Sequence, residues 1–257
     1  MNQAKGKILS NEEAKPGYYL MAIKCPPVAR AAKPGQFLTV RCGNATEPLL
    51  RRPFGFHRIN GDAFYILYKV LGKGTKALSS MKAGDAVDIL GPLGNGFPWP
   101  KGKKDIVIVA GGIGVAPLAA LAEKLLKDGK KDISVIIGAR DRKSLLCREH
   151  FEGLGIKTMV ATDDGSCGKK CFATDVLEEL IAVRRPFIPL IYACGPGPMI
   201  KAVAHVAKKR GLEAYGSFEE YIACGVGACL GCAIKTRSGY KLVCKDGPVF
   251  NLKEMIW

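Results

Sequence analysis

The sequence lacks any hydrophobic run long enough to cross a membrane. Its longest stretch without a charged residue, 106–122, has 17 residues and is interrupted by three glycines and a proline, whereas a membrane helix needs about 20 apolar residues. The amino terminus, MNQAKGK, is followed by polar residues and not by an apolar segment, so we expect no signal peptide. We therefore expect a cytoplasmic protein that does not associate with membranes.

Histidine and long basic runs are also scarce. The three histidines, His57, His150 and His205, are too scattered to form a set of ligands, and no purely basic run exceeds three residues. The net charge is nevertheless +16, although residues 213–257 contribute none of it, with five basic and five acidic side chains. Nucleic-acid-binding chains concentrate basic residues in a stripe or tail. We therefore expect no nucleic-acid partner. A few of the excess basic side chains are expected to contact anionic cofactors, and the others to be exposed to solvent.

Cysteine is abundant, with ten residues in a chain expected to keep its thiols reduced, which favours metal or redox chemistry over disulfides. Four of them follow the pattern C-x4-C-x2-C with a fourth cysteine after eleven intervening residues: Cys224, Cys229, Cys232 and Cys244. This is the plant-type spacing of ligands to a [2Fe–2S] cluster. A four-cysteine zinc site and unligated thiols remain alternatives.

The first hundred residues predict short strands separated by Gly, Pro and Asp turns, at 18–24, 37–42, 54–59, 64–70 and 86–90. This pattern is typical of a small antiparallel barrel or sandwich. Residues 91–100 contain too many glycines and prolines for regular structure, and we interpret them as a linker.

From residue 105 the apolar pattern predicts strands alternating with helices. The strands are expected at 106–110, 133–139, 157–162, 187–193 and 213–217, and the helices at 116–127, 143–151, 174–182 and 198–209. Such alternation indicates a doubly wound, mostly parallel sheet. The tail from 218 has too little apolar material for its own core, so we expect a metal centre to hold it. The fold class is thus β plus α/β, with domains at 1–100, 101–217 and 218–257.

Two turns of this α/β region are candidate nucleotide-binding elements. Gly111, Gly112 and Gly114 lie between a strand and a helix, where backbone amides can bind a phosphate, although a purely structural turn remains an alternative. Cys194 ends a later strand, at the edge where such sheets bind ligands. It is a candidate neighbour of a nicotinamide, with a buried small thiol as the alternative. In the first hundred residues, the segments 51–54 and 72–75 could hold a pyrophosphate or be surface turns.

The combination of motifs resembles one family over essentially the whole chain. The matching segments are LRRP (50–53), GKGT (72–75), GPLGNGF (91–97), TDDGS (162–166), the cysteine loop and VCKDGPVF (243–250). In this order they resemble the ferredoxin reductase superfamily, and within it the electron-transfer subunits of the two-subunit, NAD-dependent dihydroorotate dehydrogenases.

The resemblance implies an FAD site in the first domain. It places Arg52, Pro53 and Phe54 beside the isoalloxazine and ribityl groups, Lys69, Val70 and Leu71 along the next strand, and Gly74 and Thr75 at the phosphates. Two departures stand out. Gly55 replaces the serine that usually follows in the family, and Cys167 and Cys171 stand where the family often has Tyr and Gly.

The resemblance further implies a role in pyrimidine biosynthesis. Electrons would pass from dihydroorotate through the FMN of a catalytic partner subunit, the cluster and FAD to NAD, in a heterotetramer of two catalytic and two electron-transfer subunits. A flavin is needed between the cluster and the nicotinamide because the cluster carries one electron and a hydride carries two. The alternatives are a subunit of another NAD(P)H oxidoreductase, of the ferredoxin–NADP type or a hydrogenase diaphorase, and a zinc-bearing nucleic-acid-binding protein.

Overall fold

The structure is a computed structural model, and it describes residues 2–43, 47–102, 105–183 and 188–257. The strands are β1 (Asn2–Lys15), β2 (Tyr18–Lys24), β3 (Phe37–Val40), β4 (Arg52–Gly55), β5 (Arg58–Asn60), β6 (Ala63–Lys69), β7 (Ala86–Leu93), β8 (Ile106–Gly111), β9 (Ile133–Ala139), β10 (Lys157–Thr162), β11 (Lys169–Lys170), β12 (Leu190–Cys194), β13 (Ala214–Ser217), β14 (Ala233–Thr236), β15 (Gly239–Leu242) and β16 (Val249–Asn251). The α-helices are α1 (Pro26–Ala29), α2 (Lys73–Ser79), α3 (Val115–Lys127), α4 (Arg148–Gly153), α5 (Ala173–Val183) and α6 (Gly197–Arg210). None of the helices in these ranges has the length and apolar character that crossing a membrane requires.

The chain divides into two compact units. The first comprises Met1–Gly96, Glu219–Ile234 and Tyr240–Pro248, and the second comprises Phe97–Phe218, Lys235–Gly239 and Val249–Trp257. The tail 218–257, which we expected to form one module, is therefore shared between the units. Its four motif cysteines all belong to the first unit.

The first unit contains a seven-stranded antiparallel sheet in the order β4-β3-β7-β1-β2-β6-β5, which confirms the predicted antiparallel β fold. In β7, buried and more exposed positions alternate, as expected where one face packs on a core. The predicted linker 91–100 is wrong at its start, because β7 continues to Leu93 and pairs there with Phe37 of β3. The predicted strand 54–59 is two strands, β4 and β5, separated by the buried Phe56 and His57.

The second unit contains a seven-stranded sheet in the order β11-β10-β9-β8-β12-β13-β16, with helices between most of its strands. All pairs are parallel except β13 with β16. This confirms the doubly wound arrangement. The chain order reverses direction between β8 and β12, the position where such folds bind their ligands.

Two predicted elements of this unit have other bounds in the structure than the sequence predicts. The helix expected at 143–151 begins only at Arg148, because the Asp141 carboxylate accepts hydrogen bonds from the backbone N–H and hydroxyl of Ser144, both at 2.8 Å, and closes a turn there. Cys147 then adopts a left-handed conformation, with φ of 60°, immediately before the helix. Residue 187, the expected start of a strand, lies outside the described residues, and the strand seen is β12.

Candidate functional site

The four motif cysteines lie in one irregular loop region of the first unit. Cys224 and Cys229 precede β14, whereas Cys244 follows β15, so a short two-stranded sheet separates the first three cysteines from the fourth. Cys229 is exposed, Cys224 is half-buried, and Cys232 and Cys244 are buried, with 2% of each exposed. Such an arrangement places the site close to the protein surface while two of its sulfurs remain inside.

Backbone amides converge on the sulfurs of this loop. The Sγ of Cys224 accepts hydrogen bonds from the N–H groups of Val226 at 3.4 Å, Ala228 at 3.3 Å and Cys229 at 3.5 Å. The Sγ of Cys244 accepts from the Gly227 N–H at 3.2 Å, and the Sγ of Cys232 accepts from the Cys244 N–H at 3.4 Å. Amides aimed at sulfur stabilise negative charge on it, which is what a thiolate ligand carries.

The two ends of the loop have different electrostatic environments. Burial acts to raise the pKa of Cys224, but the hydrogen bonds from Val226, Cys229 and Ala228 outweigh it and lower the pKa to about 6. At Cys244, burial and the neighbouring Cys232 raise the pKa to about 12. A bound cation near Cys244 would offset the cost that burial places on its thiolate.

Glycines give the loop its shape at two positions. Gly225 and Gly227 have φ of 75° and 80°, a left-handed conformation that side-chain-bearing residues rarely adopt. A Cβ on Gly227 would lie 2.8 Å from Cδ of Lys245, so the lysine side chain would have to move to make room for it. These two glycines turn the chain so that the amides after Cys224 face the sulfurs.

The cysteine loop packs on the antiparallel sheet. A Cβ on Gly225 would lie 3.2 Å from both Thr39 of β3 and Leu93 of β7. Thr39 is paired in register with Pro53 of β4, one of the residues expected at the flavin. The loop therefore contacts the strand next to β4, which brings the candidate cluster ligands and candidate flavin residues into one neighbourhood of the first unit.

The donor set fits a [2Fe–2S] cluster. Four thiols are present, amide donors already face three of the sulfurs, and the loop lies near the surface. Within the described ranges, no three His, Cys, Asp or Glu side chains converge on a position for one metal ion. A [2Fe–2S] cluster does not require three protein ligands around one metal ion, because each of its irons binds two cysteine thiolates.

The candidate phosphate-binding residues of the first unit meet at the start of α2. A Cβ on Gly74 would lie 3.1 Å from Nε of Arg52, so the guanidinium lies directly against the first turn of the helix. The Thr75 hydroxyl accepts hydrogen bonds from the N–H groups of Leu71, at 2.9 Å, and Gly72, at 3.2 Å, and so caps that turn. The sequence predicted a glycine-rich turn at 72–75, and in the structure these residues form the beginning of helix α2.

The other residues expected at the flavin lie on β4, at the end of β6 and directly after β6. Phe54 is half-buried, with its ring 5.7 Å from that of Tyr68, and Gly55 is half-buried at the end of β4. The Lys69 ammonium lies 5.3 Å from the centre of the Tyr18 ring. Val70 is half-buried against the core of the unit, whereas 79% of Leu71 is exposed.

The candidate nucleotide turn lies at the switch point of the second unit. A Cβ on Gly111 would lie 2.6 Å from Sδ of Met199 and 2.8 Å from Cδ of Pro196, and a Cβ on Gly114 would collide with the carbonyl of Cys194. Both glycines are therefore required by the close approach of the loops after β8 and β12. Gly112, with φ of 54° and nothing within 4 Å of its Cβ position, faces open space.

The candidate nicotinamide neighbour, Cys194, ends β12 beside this turn. It is paired in register with Ala110 of β8 and Ser217 of β13, and only 1% of it is exposed. The structure thus places Cys194 at the predicted edge of the sheet with its side chain inside the protein.

Cys167 and Cys171, which depart from the family pattern, have different environments. Cys167 is buried, and its Sγ accepts a hydrogen bond from Nη1 of Arg148 at 3.6 Å. Cys171 is half-buried.

Sequence reasoning missed one residue near the cysteines. Asn95 donates hydrogen bonds to backbone carbonyls of the segment that follows Cys244. The available signal was its position between two glycines, Gly94 and Gly96, in a segment that was interpreted as a linker.

Comparison with known proteins finds two families along the chain. Residues 219–256 match a family described as the iron-sulfur cluster binding domain of dihydroorotate dehydrogenase B, and residues 108–205 match the oxidoreductase NAD-binding domain family. The electron transfer subunit of dihydroorotate dehydrogenase B (NAD(+)) from Desulforamulus reducens is 38% identical, over 98% of this chain and 97% of the relative. The corresponding subunit from Caldanaerobacter subterraneus is 40% identical over 98% of each chain.

Solved structures show the same fold. An NADH-dependent reduced ferredoxin-NADP oxidoreductase, studied for flavin-based electron bifurcation, has a TM-score of 0.85 and 29% identity, covering 100% of this chain and 91% of that one. A ferredoxin NADP+ reductase from Neisseria gonorrhoeae has a TM-score of 0.69 and 18% identity, covering 82% of this chain and 92% of that one.

The antiparallel sheet, the doubly wound sheet and the cysteine loop define an oxidoreductase of the ferredoxin reductase type with an iron–sulfur segment at its carboxyl end. Within that class, the chain belongs to the family of electron transfer subunits of NAD(+)-dependent dihydroorotate dehydrogenase B.

Proposed function

We propose that this chain passes electrons between a dihydroorotate-oxidising partner subunit and NAD, using a [2Fe–2S] cluster and FAD, in pyrimidine biosynthesis. The observation that carries the proposal is the set of five backbone N–H groups directed at the sulfurs of Cys224, Cys232 and Cys244. Family membership supports the same function, since the relatives carry that name.

The cluster ligands in this proposal are Cys224, Cys229, Cys232 and Cys244. The chain binds the metal with four thiolates and stabilises their charge through amides, which keep the sulfurs oriented. The exposed position of Cys229 leaves this side of the site accessible to a partner.

The flavin site consists of Arg52, Pro53, Phe54 and Gly55 on β4, Lys69, Val70 and Leu71 at the end of β6, and Gly74 and Thr75 at the start of α2. Arg52 and the first turn of α2 form a positively polarised surface that suits a pyrophosphate. Bound FAD supplies the exchange between the two-electron chemistry of nicotinamide and the one-electron chemistry of the cluster. Phe54 is half-buried on the same strand as Arg52, with its ring 5.7 Å from that of Tyr68.

The nucleotide site lies at the switch point of the second unit. Gly111 and Gly114 allow the turns after β8 and β12 to approach closely, and Gly112 leaves the surface of the turn open to a phosphate. Cys194 is proposed as a neighbour of the nicotinamide because it ends the adjacent strand.

The proposal also includes the organisation of the complex. The partner is a catalytic subunit carrying FMN, two of each subunit form a heterotetramer, and the complex is cytoplasmic. In functional terms, residues 1–100 hold FAD, 101–217 bind NAD and 218–257 hold the cluster. The family match to residues 219–256 supports the last of these boundaries.

The test is a reconstitution. The chain, carrying its cofactors, is added to a dihydroorotate-oxidising FMN subunit, and NAD reduction is followed at saturating dihydroorotate. We expect NAD reduction only when both subunits are present. If adding this chain leaves NAD reduction unchanged, or if the chain instead reduces ferredoxin from NADPH without any such partner, the proposal is wrong.

A further inference from the structure

Asn95 lies in the segment that follows β7, between two glycines that are closely packed. A Cβ on Gly94 would lie 2.6 Å from the carbonyl oxygen of Gly247, and a Cβ on Gly96 would lie 2.6 Å from that of Pro34. The segment is therefore held between two other parts of the first unit, and only glycine fits on either side of Asn95.

Asn95 makes three hydrogen bonds to one segment of the chain, about 150 residues away in sequence. Its backbone N–H donates to the carbonyl of Gly247 at 2.6 Å. Its side-chain Nδ2 donates to the carbonyls of Lys245, at 3.1 Å, and Asp246, at 3.0 Å. All three acceptors lie within three residues of Cys244.

The segment that Asn95 binds is itself a compact turn. The N–H groups of Lys245 and Asp246 donate to the carbonyl of Leu242, at 3.0 and 2.7 Å, and the Asp246 carboxylate accepts from the Leu242 N–H at 2.7 Å. A turn bonded in this way moves as a unit. Its position on the sheet therefore decides where the Cys244 sulfur lies relative to the other cysteines.

The turn is also attached to the cysteine loop, through the cysteines themselves. Val243 and Cys244 donate backbone hydrogen bonds to the carbonyl and the Sγ of Cys232, and Gly227 donates to the Sγ of Cys244. These bonds connect the turn to the cysteine loop. Asn95 instead connects it to β7, a strand of the antiparallel sheet that ends two residues before Asn95.

We propose that Asn95 is a positioning residue that fixes the Cys244 turn to the antiparallel sheet and thereby sets the geometry of the cluster. This inference rests on the proposed function. Asn95 is exposed, so water can replace its side-chain hydrogen bonds at little cost in stability. Its removal should therefore change the geometry and retention of the cluster more than the stability of the fold.

The experiment compares Asn95→Ala with a matched control, Asn11→Ala. Asn11 also donates two hydrogen bonds from Nδ2 to backbone carbonyls in the first unit, those of Leu78 and Met81, both at 2.9 Å, but away from the cysteine loop. Both purified holoproteins are exposed to an iron chelator, and iron release, the electron paramagnetic resonance signal of the reduced cluster and the melting temperature are recorded.

We expect Asn95→Ala to release iron roughly 10- to 100-fold faster than wild type, as for other residues that orient metal ligands. Its resonance line shape should also change. Asn11→Ala should lower the melting temperature without accelerating iron release at a temperature where it is folded.

Release at the wild-type rate with an unchanged signal in folded Asn95→Ala would overturn this inference alone. Equal acceleration in both variants would also overturn it, because the effect would then be one of general stability. A wild-type protein that takes up no iron would overturn the proposed function, and this inference with it.

Discussion

Arg51 and Arg52 are neighbours in sequence, but their guanidinium groups have different partners. Arg51 bonds Asp88 of β7 through Nη2 at 2.7 Å, in a pair whose side chains are 21% and 26% exposed. Arg52 donates from Nη1 to the carbonyl of Leu50 at 2.7 Å and lies against Gly74 of α2. The first arginine thus stabilises the sheet, and the second faces the candidate phosphate site.

This difference predicts distinct effects of two equivalent substitutions. Arg52→Ala should weaken FAD binding roughly tenfold to a hundredfold, the value of one or two charge-assisted hydrogen bonds. Arg51→Ala should lower the melting temperature and leave the affinity of the folded protein for FAD within a few-fold of wild type. Titration of the flavin-free protein with FAD measures both, and equal losses of affinity would contradict the assignment of Arg52.

Cys42 gives a pH dependence to stability. Burial raises the pKa of its thiol to about 11, although the nearby Arg52 partly opposes the shift. The unfolded chain, with a pKa near 9, ionises first as pH rises, so stability is lost between about pH 9 and pH 11 and is fully present below that range.

The measurement compares urea unfolding of wild type and Cys42→Ala at pH 8 and pH 11. The stability of wild type relative to the variant should fall by about 2 kcal/mol over this range, since one pKa unit corresponds to about 1.4 kcal/mol. The variant itself serves as the control, because it retains every other group that titrates in alkali. A relative stability that does not change with pH would contradict the prediction.

Among the elements, the turn between β8 and α3 is the most tightly constrained. Gly114→Ala would place a methyl group against the backbone carbonyl of Cys194, which cannot rotate away as a side chain could. Relieving this contact requires the turns after β8 and β12 to separate. We therefore expect a loss of about 1–3 kcal/mol in the free energy of unfolding, together with weaker binding of NAD.

Gly153→Ala is the matched control for that substitution. Gly153 belongs to α4 in the same unit, and a Cβ there would meet nothing within 4 Å. Alanine is favoured over glycine in helices, so this variant should be as stable as wild type or slightly more stable. Thermal unfolding of the two variants, measured in parallel, compares their stabilities. A Gly114→Ala variant as stable as wild type would show that the two turns are not packed as the structure indicates.

Sequence patterns predicted some elements and missed others for identifiable reasons. The buried strand β8 is a continuous apolar run and β9 is apolar except for Ser134, and the sequence places both within a residue of their observed ends. β1, the longest strand, was missed because most of its side chains are exposed and polar, so no apolar alternation marks it. α2 was missed because its seven residues begin with Lys-Gly-Thr, a sequence more typical of a turn.

At the scale of the whole molecule, the spacing that predicts the four cysteines as cluster ligands could be recognised in the sequence, whereas the path of the tail could not. Ligand spacing is local, so it can be read from sequence. The pairing of β16 with β13, in which Phe250 lies opposite Gly216, joins distant segments and leaves no local pattern. The ring of Phe218 lies 5.8 Å from that of Phe250 and 6.0 Å from that of Trp257, so aromatic packing helps hold the carboxyl end there.

The charge distribution has a consequence at the same scale. The excess of basic residues lies outside 213–257, which is neutral, and this segment exposes Tyr221, Leu230 and Tyr240, each more than 60% accessible. A neutral surface with exposed apolar side chains suits a protein partner better than a polyanion. The names of the relatives, which are electron transfer subunits, also imply a partner subunit.

The most direct test of the cluster and its ligands is electron paramagnetic resonance of the purified protein after anaerobic reduction with NADH. We predict a reduced [2Fe–2S] signal in wild type and in Cys171→Ala, which alters a half-buried cysteine outside the motif. In Cys229→Ala the signal should be lost while NADH still bleaches the flavin absorption. A wild-type protein without this signal would contradict the proposed cluster, and a Cys229→Ala protein that retains it in full would contradict the proposed ligands.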